Sequence, residues 1–310
     1  MKKDLLTFLE CPSCRGAFEL SSGSGGNGRD QELVCSACRK RVPVHGSIPR
    51  FVPSDQYAAS FSFEWNRFRT TQMDSANPDP ESEKRLQQSL DRPLETLRGR
   101  RVLDAGCGAG RFAEVVLRKG GRVVGVDLSF AIDAAYRNLK EWENLDLIQA
   151  DLTALPLRAD SFDFIYSLGV LHHTPNAKTG FLNLVRLLKP GGQISITLYS
   201  GYNKFYVRSS QWWRQWTTRL PHSVVHGIST LAIPLYFLYR LPVVGDLGQG
   251  LFPISMHPKA QWRVLDTYDC YTPRYQSYHT HYEVFRWFEE AGLREIKVLE
   301  PGISLIGRKP

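Results

Sequence analysis

The sequence predicts an α/β chain: a mostly parallel sheet covered by helices on both faces, a small metal-stapled module before it, and a helical insertion near the end. Three observations predict it. From residue 100 onward, short apolar runs alternate with amphipathic stretches, the rhythm of a parallel sheet with crossover helices. Two Cys-x-x-Cys pairs stand within the first 40 residues. Residues 201–280 then separate the fifth apolar run from the last amphipathic one, far longer than the usual connection within a compact domain.

The 310 residues are 42% hydrophobic and 23% charged, an ordinary globular composition that excludes a disordered chain. The net charge is +8, and residues 200–280 alone contribute +5. A basic excess held in one segment calls for an anionic partner: RNA, a membrane surface or a phosphorylated substrate. The opening MKKDLLTFLECPSC is not an export signal, because Asp4 and Glu10 interrupt its apolar stretch. The expected compartment is the cytoplasm, where thiols stay reduced.

Taken in order, the first element is the cysteine module, residues 1–53. Cys11-Pro-Ser-Cys14 and Cys35-Ser-Ala-Cys38 are separated by 20 residues, the spacing of a zinc ribbon. Four thiolates suit a closed, tetrahedral Zn²⁺ site that staples a fold rather than catalyses. Free thiols or two disulfides are the alternatives. SSGSGGNG (21–28) reads as a flexible tip between the pairs. Residues 54–99 read as a linker with cap helices.

The core follows at 100–200 and resumes at 281–310. RVLDAG (101–106) is the first strand and RFAEVVLRKG (111–120) a helix stopped by Gly120-Gly121. RVVGVD (122–127) is a strand, AIDAAYRNLKEW a helix, and LDLIQAD (145–151) and FDFIYSLG (162–169) are strands. FLNLVRLL is a helix broken by Lys189-Pro-Gly-Gly192, and QISITLY (193–199) is the fifth strand. EVFRWFEEAG (283–292) is the last helix; REIKVL (294–299) and ISLIGRK (303–309) close as an antiparallel pair.

Ligands of such sheets bind beyond the carboxyl ends of the strands. Asp104, Asp127 and Asp151 stand at those ends, and Asp127 lies 21 residues past Gly106, where an acidic side chain holds a ribose diol. The turn itself reads LDAGCGAGRF (103–112). A dinucleotide fingerprint Gly-x-Gly-x-x-Gly fails here, since Arg111 occupies its last position. The pattern is Asp-x-Gly-x-Gly-x-Gly.

DAGCGAG, VDLS, QADLTALPLRADSFDFIYS and LKPGG together resemble the class I S-adenosylmethionine-dependent methyltransferases of the ubiquinone-biosynthesis-like type. The resemblance covers residues 100–200 and 280–310. It implies a seven-stranded, mostly parallel Rossmann-like sheet with an antiparallel last strand. It implies that Gly106, Gly108 and Gly110 let the backbone approach the methionine part of the cofactor and that Asp104 orients the loop. Asp127 would bind the ribose hydroxyls, with Leu128 on the adenine. Asp151 would meet the adenine amino group with Leu152 beside it, and Ser167 and Leu168 would lie near the methionyl amine. ECPSC…LVCSACRKRVPVHGSIPRFVP looks like the zinc-containing segment that some of these enzymes carry. SFSFEWNRF (60–68) and DTYDCYTPRYQSYHT (266–280) look like a bacterial subgroup linked to glycan, lipid or secondary-metabolite pathways.

Methyl transfer to a hydroxyl, an amine or an acidic carbon gains from a base. GVLHHTPN (169–176) leaves the fourth strand and offers His172 and His173; a hydrogen-bonded turn is their other role. YTPRYQSYHTHYE (271–283) offers Tyr271 and His279, with Thr280 or Ser277 as helix cap. The insertion interleaves Phe205, Trp212, Trp213 and Trp216 with Lys204, Arg208, Arg214 and Arg219. Its apolar run VVHGISTLAIPLYFLYRLPVV (224–244) contains Pro234, Arg240 and Pro242, which argues against a spanning helix. It is expected either to cover the substrate pocket as a lid or also to sit in a membrane interface at the inner face. Both favour a small-molecule acceptor that is apolar or lipid-linked. The rival is an rRNA or tRNA methyltransferase that docks RNA through its zinc ribbon, and a third possibility is an adaptor that binds cofactor without turnover.

Overall fold

The N-terminal module begins with a short helix, α1 (Lys3–Phe8), followed by a four-stranded antiparallel meander: β1 (Phe18–Ser22), β2 (Gln31–Cys35), β3 (Arg41–His45) and β4 (Ile48–Pro49). The computed structural model describes residues 3–22, 31–300 and 302–310, so the expected Gly/Ser tip lies, from residue 23 onward, outside the described residues. In β3 the alternation of buried Val42 and Val44 with exposed neighbours is the period of a half-buried strand. The module is not a separate globule. Leu5, Phe8, Leu9 and Leu33 share one buried cluster with Leu157 and Phe162 of the main domain. The Glu10 amide donates to Pro156 O at 3.0 Å, and the Phe51 amide donates to Gln149 O at 2.8 Å. The chain after β4 thereby covers part of a sheet edge that would otherwise offer unpaired backbone groups.

Two cap helices follow, α2 (Ala59–Arg67) and α3 (Glu81–Leu90). Asp74 starts α3: its carboxylate accepts from the Ser82 amide at 2.9 Å and the Glu83 amide at 2.8 Å, satisfying first-turn donors that the helix leaves unpaired.

The main domain alternates as the sequence indicates: β5 (Arg101–Ala105), α4 (Arg111–Arg118), β6 (Arg122–Asp127), α5 (Ala131–Leu139), β7 (Leu145–Gln149), β8 (Phe162–Leu168), α6 (Ala177–Leu187) and β9 (Leu188–Leu198). An inserted run of helices comes next: α7 (Lys204–Thr217), α8 (His222–Ser229), α9 (Ala232–Leu238), α10 (Val244–Leu251) and α11 (Ala260–Tyr271). The chain ends with α12 (His281–Glu290), β10 (Arg294–Leu299) and β11 (Ile303–Arg308). The seven strands lie in the order β10-β11-β9-β8-β5-β6-β7. β11 runs antiparallel to both neighbours, and the other pairs are parallel. The order reverses between β5 and β8, which opens a crevice at the strand ends.

Each sheet face has its own core. Leu86 of α3, Val115 and Val116 of α4 and Ile132 of α5 pack on one face. Phe181 of α6, Phe288 of α12 and the N-terminal module pack on the other. Thr280 caps α12 by accepting from the Glu283 amide.

Two expectations change in detail. Lys189-Pro-Gly-Gly192 ends the helix but does not form a free loop. Leu188 already pairs with Phe162, and Gly191 and Gly192 exchange hydrogen bonds with Lys309, so β9 starts five residues earlier with a register shift. The apolar run 224–244 is broken into α8, α9 and the start of α10, and no helix among the described residues is long and apolar enough to cross a membrane.

Candidate functional site

The turn after β5 is built for close approach. Gly106 has φ +88°, and a Cβ there would lie 2.3 Å from Val170 Cγ1. Gly108 has φ +53°, and a Cβ there would meet the Trp65 ring at 3.2 Å. Both positions need glycine for backbone conformation and for space. Gly110, at φ +89°, precedes the first turn of α4. The Gly106 and Cys107 amides are tied to Val126 O at 2.8 and 3.0 Å, which fixes the turn against the end of β6.

Asp127 sits at that end. Its Oδ2 accepts from the Gly108 amide at 2.9 Å, and its Oδ1 accepts from the Ser129 amide and hydroxyl at 2.8 and 2.6 Å. Burial raises its pKa. Asp104 is buried, with Oδ2 unpartnered among the described residues, and burial pushes its pKa up to about 7. Asp151 Oδ1 accepts from the amide and hydroxyl of Thr153, each at 2.7 Å, and its Oδ2 accepts from the Tyr57 hydroxyl at 3.3 Å. Ser167 is fully buried and donates to Ala105 O at 2.9 Å.

A cavity of about 400 Å³ opens over this turn. Gly106, Gly108, Asp127, Leu128, Leu152 and Leu168 line one end. Asp104, Gly110, Asp151 and Ser167 do not line it.

The other end is assembled from three distant segments: α2 gives Glu64, the turn after β8 gives His173, and α11 gives Asp266 and Asp269. Glu64 is 1% exposed, and its Oε2 has no partner among the described residues. Burial, reinforced by Asp269 and Asp266, holds its pKa well above the usual carboxylate range. Asp266 is pushed up to about 6, chiefly by burial. Arg111 supplies compensating charge, its own pKa drawn down to about 9 by burial.

His173 is the best-defined group there. Its Nδ1 lies 3.1 Å from Tyr275 O. A carbonyl only accepts, so Nδ1 carries the hydrogen and the neutral ring keeps a lone pair on Nε2. Nε2 stands 4.0 Å from Asp269 Oδ1, and neither atom has a partner among the described residues. Asp269 is fixed through Oδ2, which accepts from the Tyr199 hydroxyl at 2.7 Å. Burial lowers the His173 pKa, with Asp269 pulling the other way.

The other expected bases stand elsewhere. His172 is fully buried, stacked on the Tyr199 ring at 3.8 Å, and held well below the usual histidine pKa by burial. His279 uses both nitrogens, on Glu283 at 2.9 Å and Ser277 at 2.8 Å. Tyr271 donates to Pro253 O at 2.6 Å and stacks on Phe252. None of the three lines the cavity. Glu64, Asp266 and Asp269, which line the cavity with His173, lie within SFSFEWNRF and DTYDCY, the stretches already notable in the sequence.

The four cysteines of the N-terminal module, none of which lines this cavity, form one cluster. The Sγ atoms of Cys11 and Cys38 are 3.6 Å apart, those of Cys14 and Cys35 are 3.5 Å apart, and all four lie within 4.8 Å of one another. All are free thiols. Tetrahedral metal–sulfur bonds of about 2.3 Å put sulfurs about 3.8 Å apart, so the set fits one ion.

Residues 103–196 match a family of methyltransferase domains. The ubiquinone biosynthesis O-methyltransferase of Coxiella burnetii is 32% identical over 114 residues, 36% of this chain and 49% of that protein. Its counterpart in Alkalilimnicola ehrlichii is 35% identical over 119 residues, 37% of this chain and 47% of that protein. The chain thus spans about half the length of the curated relatives it matches. An S-adenosylmethionine dependent methyltransferase from Mesorhizobium loti is 27% identical, with a TM-score of 0.36 over 41% of this chain and 57% of that one.

Proposed function

From the premise that residues 103–196 form a class I methyltransferase domain, we propose that the chain moves a methyl group from S-adenosylmethionine to a small-molecule acceptor. The acceptor is apolar or lipid-linked in bulk and carries a reacting hydroxyl or amine. One observation carries this reading: a glycine cradle with Asp127 and an unpartnered His173–Asp269 pair line a single cavity.

The fit to the cofactor is physical. A Cβ at Gly106 or Gly108 would run into Val170 or Trp65, so only a bare glycine backbone can present this turn to a ligand, and Asp127 Oδ2, which accepts from the Gly108 amide, has a lone pair for a ribose hydroxyl. Leu128 and Leu152 flank an adenine, and Asp151, outside the lining and held by Thr153 and Tyr57, supports that end of the cavity. Asp104 and Gly110 support the loop from behind, and Ser167 and Leu168 shape the methionyl end. When bound, S-adenosylmethionine supplies a methyl group on a sulfonium, which is open to in-line displacement.

The chain's own residues then align, desolvate and deprotonate. The acceptor's O–H or N–H points at His173 Nε2, which takes the proton. Asp269 stabilises the imidazolium, and Tyr275 O holds the ring in place. Phe61, Ile254 and Leu265 line the cavity and exclude water, which strengthens each polar contact inside. His172, His279 and Tyr271 support this arrangement from behind and touch no acceptor.

Residues 1–53 act as a zinc-stapled brace, 54–99 as a cap, and 201–280 as a lid over a core at 100–200 and 281–310. Calorimetric titration of the full chain with S-adenosylmethionine tests the binding half of this reading. Saturable one-to-one binding that Asp127→Ala weakens supports it; no binding in the metal-loaded protein refutes it.

A further inference from the structure

The outer surface of the insertion is apolar to a degree the rest of the chain is not. Phe237 is 68% exposed, Leu247 60% and Leu251 69%. The exposed side chains form stripes. Phe205, Trp212 and Trp216 recur at seven- and four-residue spacing on α7; Val244, Leu247 and Leu251 recur at three and four on α10. Residues so spaced share one helix face.

The stripes join. Gly250 of α10 lies against the Phe205 ring, where a Cβ would come within 1.8 Å. Trp213 Nε1 donates to Leu251 O at 2.6 Å. The Tyr239 ring, at the end of α9, packs over Gly248. One continuous patch therefore runs from α7 across α10 to α9, larger than the scattered apolar side chains of an ordinary surface.

The same surface carries four exposed cations, Lys204, Arg208, Arg219 and Arg240, none in an ion pair with a described residue. Asp246 is the one acidic residue between residues 201 and 251. We infer that this face docks on an anionic lipid bilayer, with the aromatic and aliphatic stripes in the acyl boundary and the four cations at the headgroups. The inference is independent of the transfer chemistry.

Charge argues against the other occupants. A second copy in a two-fold contact brings the same cationic patch onto itself, with little acidic charge to offset it. A nucleic acid calls for flat stacking platforms, whereas much of this patch is leucine and valine. The inner side of the same insertion lines the cavity with Tyr206, Ile254, Leu265 and Cys270, so a docked face leaves the cavity one helix layer from the lipid.

The test is co-sedimentation of the full, metal-loaded chain with vesicles of phosphatidylglycerol and phosphatidylcholine, and with phosphatidylcholine alone. Binding to the anionic vesicles should exceed binding to the neutral ones by about tenfold or more and fall in high salt. Phe237→Ser with Leu247→Ser should abolish it, and Arg208→Glu with Arg240→Glu should remove the anionic preference. All four positions are exposed, and unchanged metal content and far-ultraviolet dichroism would show that the variants fold. Absence of sedimentation with either vesicle overturns the inference. So does equal binding to both, a dimer that Leu247→Ser dissociates, or RNA that competes the protein off the vesicles.

Discussion

His173 Nε2 and Asp269 Oδ1 lie 4.0 Å apart, both residues lining the cavity, and neither atom has a hydrogen-bond partner among the described residues. Two buried acceptors left open side by side are costly unless a ligand donates to them. The Nδ1 bond to Tyr275 O leaves Nε2 as the nitrogen able to accept a proton. His173→Gln should slow transfer by about 10²–10⁴-fold while leaving S-adenosylmethionine binding nearly intact. The pH profile gives the sign. Burial lowers the folded pKa of His173 below 6.5, so the acid limb of kcat/KM should fall below that value. Asp269→Asn removes the charge that pulls the pKa upward, so the limb should move further down. A limb above pH 7, or one that Asp269→Asn raises, contradicts the assignment.

Glu64 makes a separate prediction about stability. Burial and two neighbouring aspartates raise its folded pKa, so the folded state binds a proton that the unfolded state has already released. Stability should therefore decline as pH rises from the unfolded carboxylate value toward the raised folded one. Glu64→Gln should be more stable than the parent at pH 8, by about 2–4 °C in Tm or more, with the gap closing near pH 4. Calorimetry across that range checks it, and a gap that widens toward acid contradicts it.

At the glycine turn, Gly106→Ala sets a methyl group 2.3 Å from Val170 at a φ of +88°. The strain should cost about 1–3 kcal/mol and lower affinity for S-adenosylmethionine. Adding Val170→Ala should recover part of the loss, because it removes the 2.3 and 2.5 Å contacts but leaves the Val170 Cβ at 2.8 Å and the φ unchanged. Thermal unfolding and titration calorimetry of the three variants separate these terms; full recovery in the double variant would mean that backbone strain is negligible.

The cysteine cluster predicts one zinc per chain. Leu5, Phe8 and Leu33 of that module share a core with Phe162 and Leu157, so removing the metal should loosen the module and lower the stability of the whole chain. Chelation, or Cys38→Ser, should lower Tm and expose residues 3–50 to protease while the strands of the main sheet stay protected. Elemental analysis showing no metal in protein purified without chelator would contradict the stapling role.

Local features were legible in the sequence because each rests on short-range rules. The Cys11–Cys14 and Cys35–Cys38 spacing, the turn at Gly106 to Gly110 and the alternation from Arg101 to Leu198 need only neighbouring residues to be read. The base pair of the cavity was half legible. His173 stood out beside His172, but Asp269 is 96 residues away and reaches it only because α11, within the insertion, packs against α7, α8 and α2. Glu64 was hidden for the same reason, since α2 crosses over the turn from a segment that reads as a linker. Tyr271 and His279 looked reactive by type, yet packing against Phe252 and hydrogen bonds to Glu283 and Ser277 turn them inward. Periodicity places a residue on an element; it does not say which neighbour takes up its polar atoms.

The most direct test of the central claim is a transfer assay with S-adenosylmethionine labelled in its methyl group, the full metal-loaded chain and a cell extract split into organic-soluble, small aqueous and RNA fractions. The account predicts label in the organic or small-molecule fraction, lost with His173→Gln. Label that precipitates and is released by nuclease would contradict it, as would no transfer to any fraction.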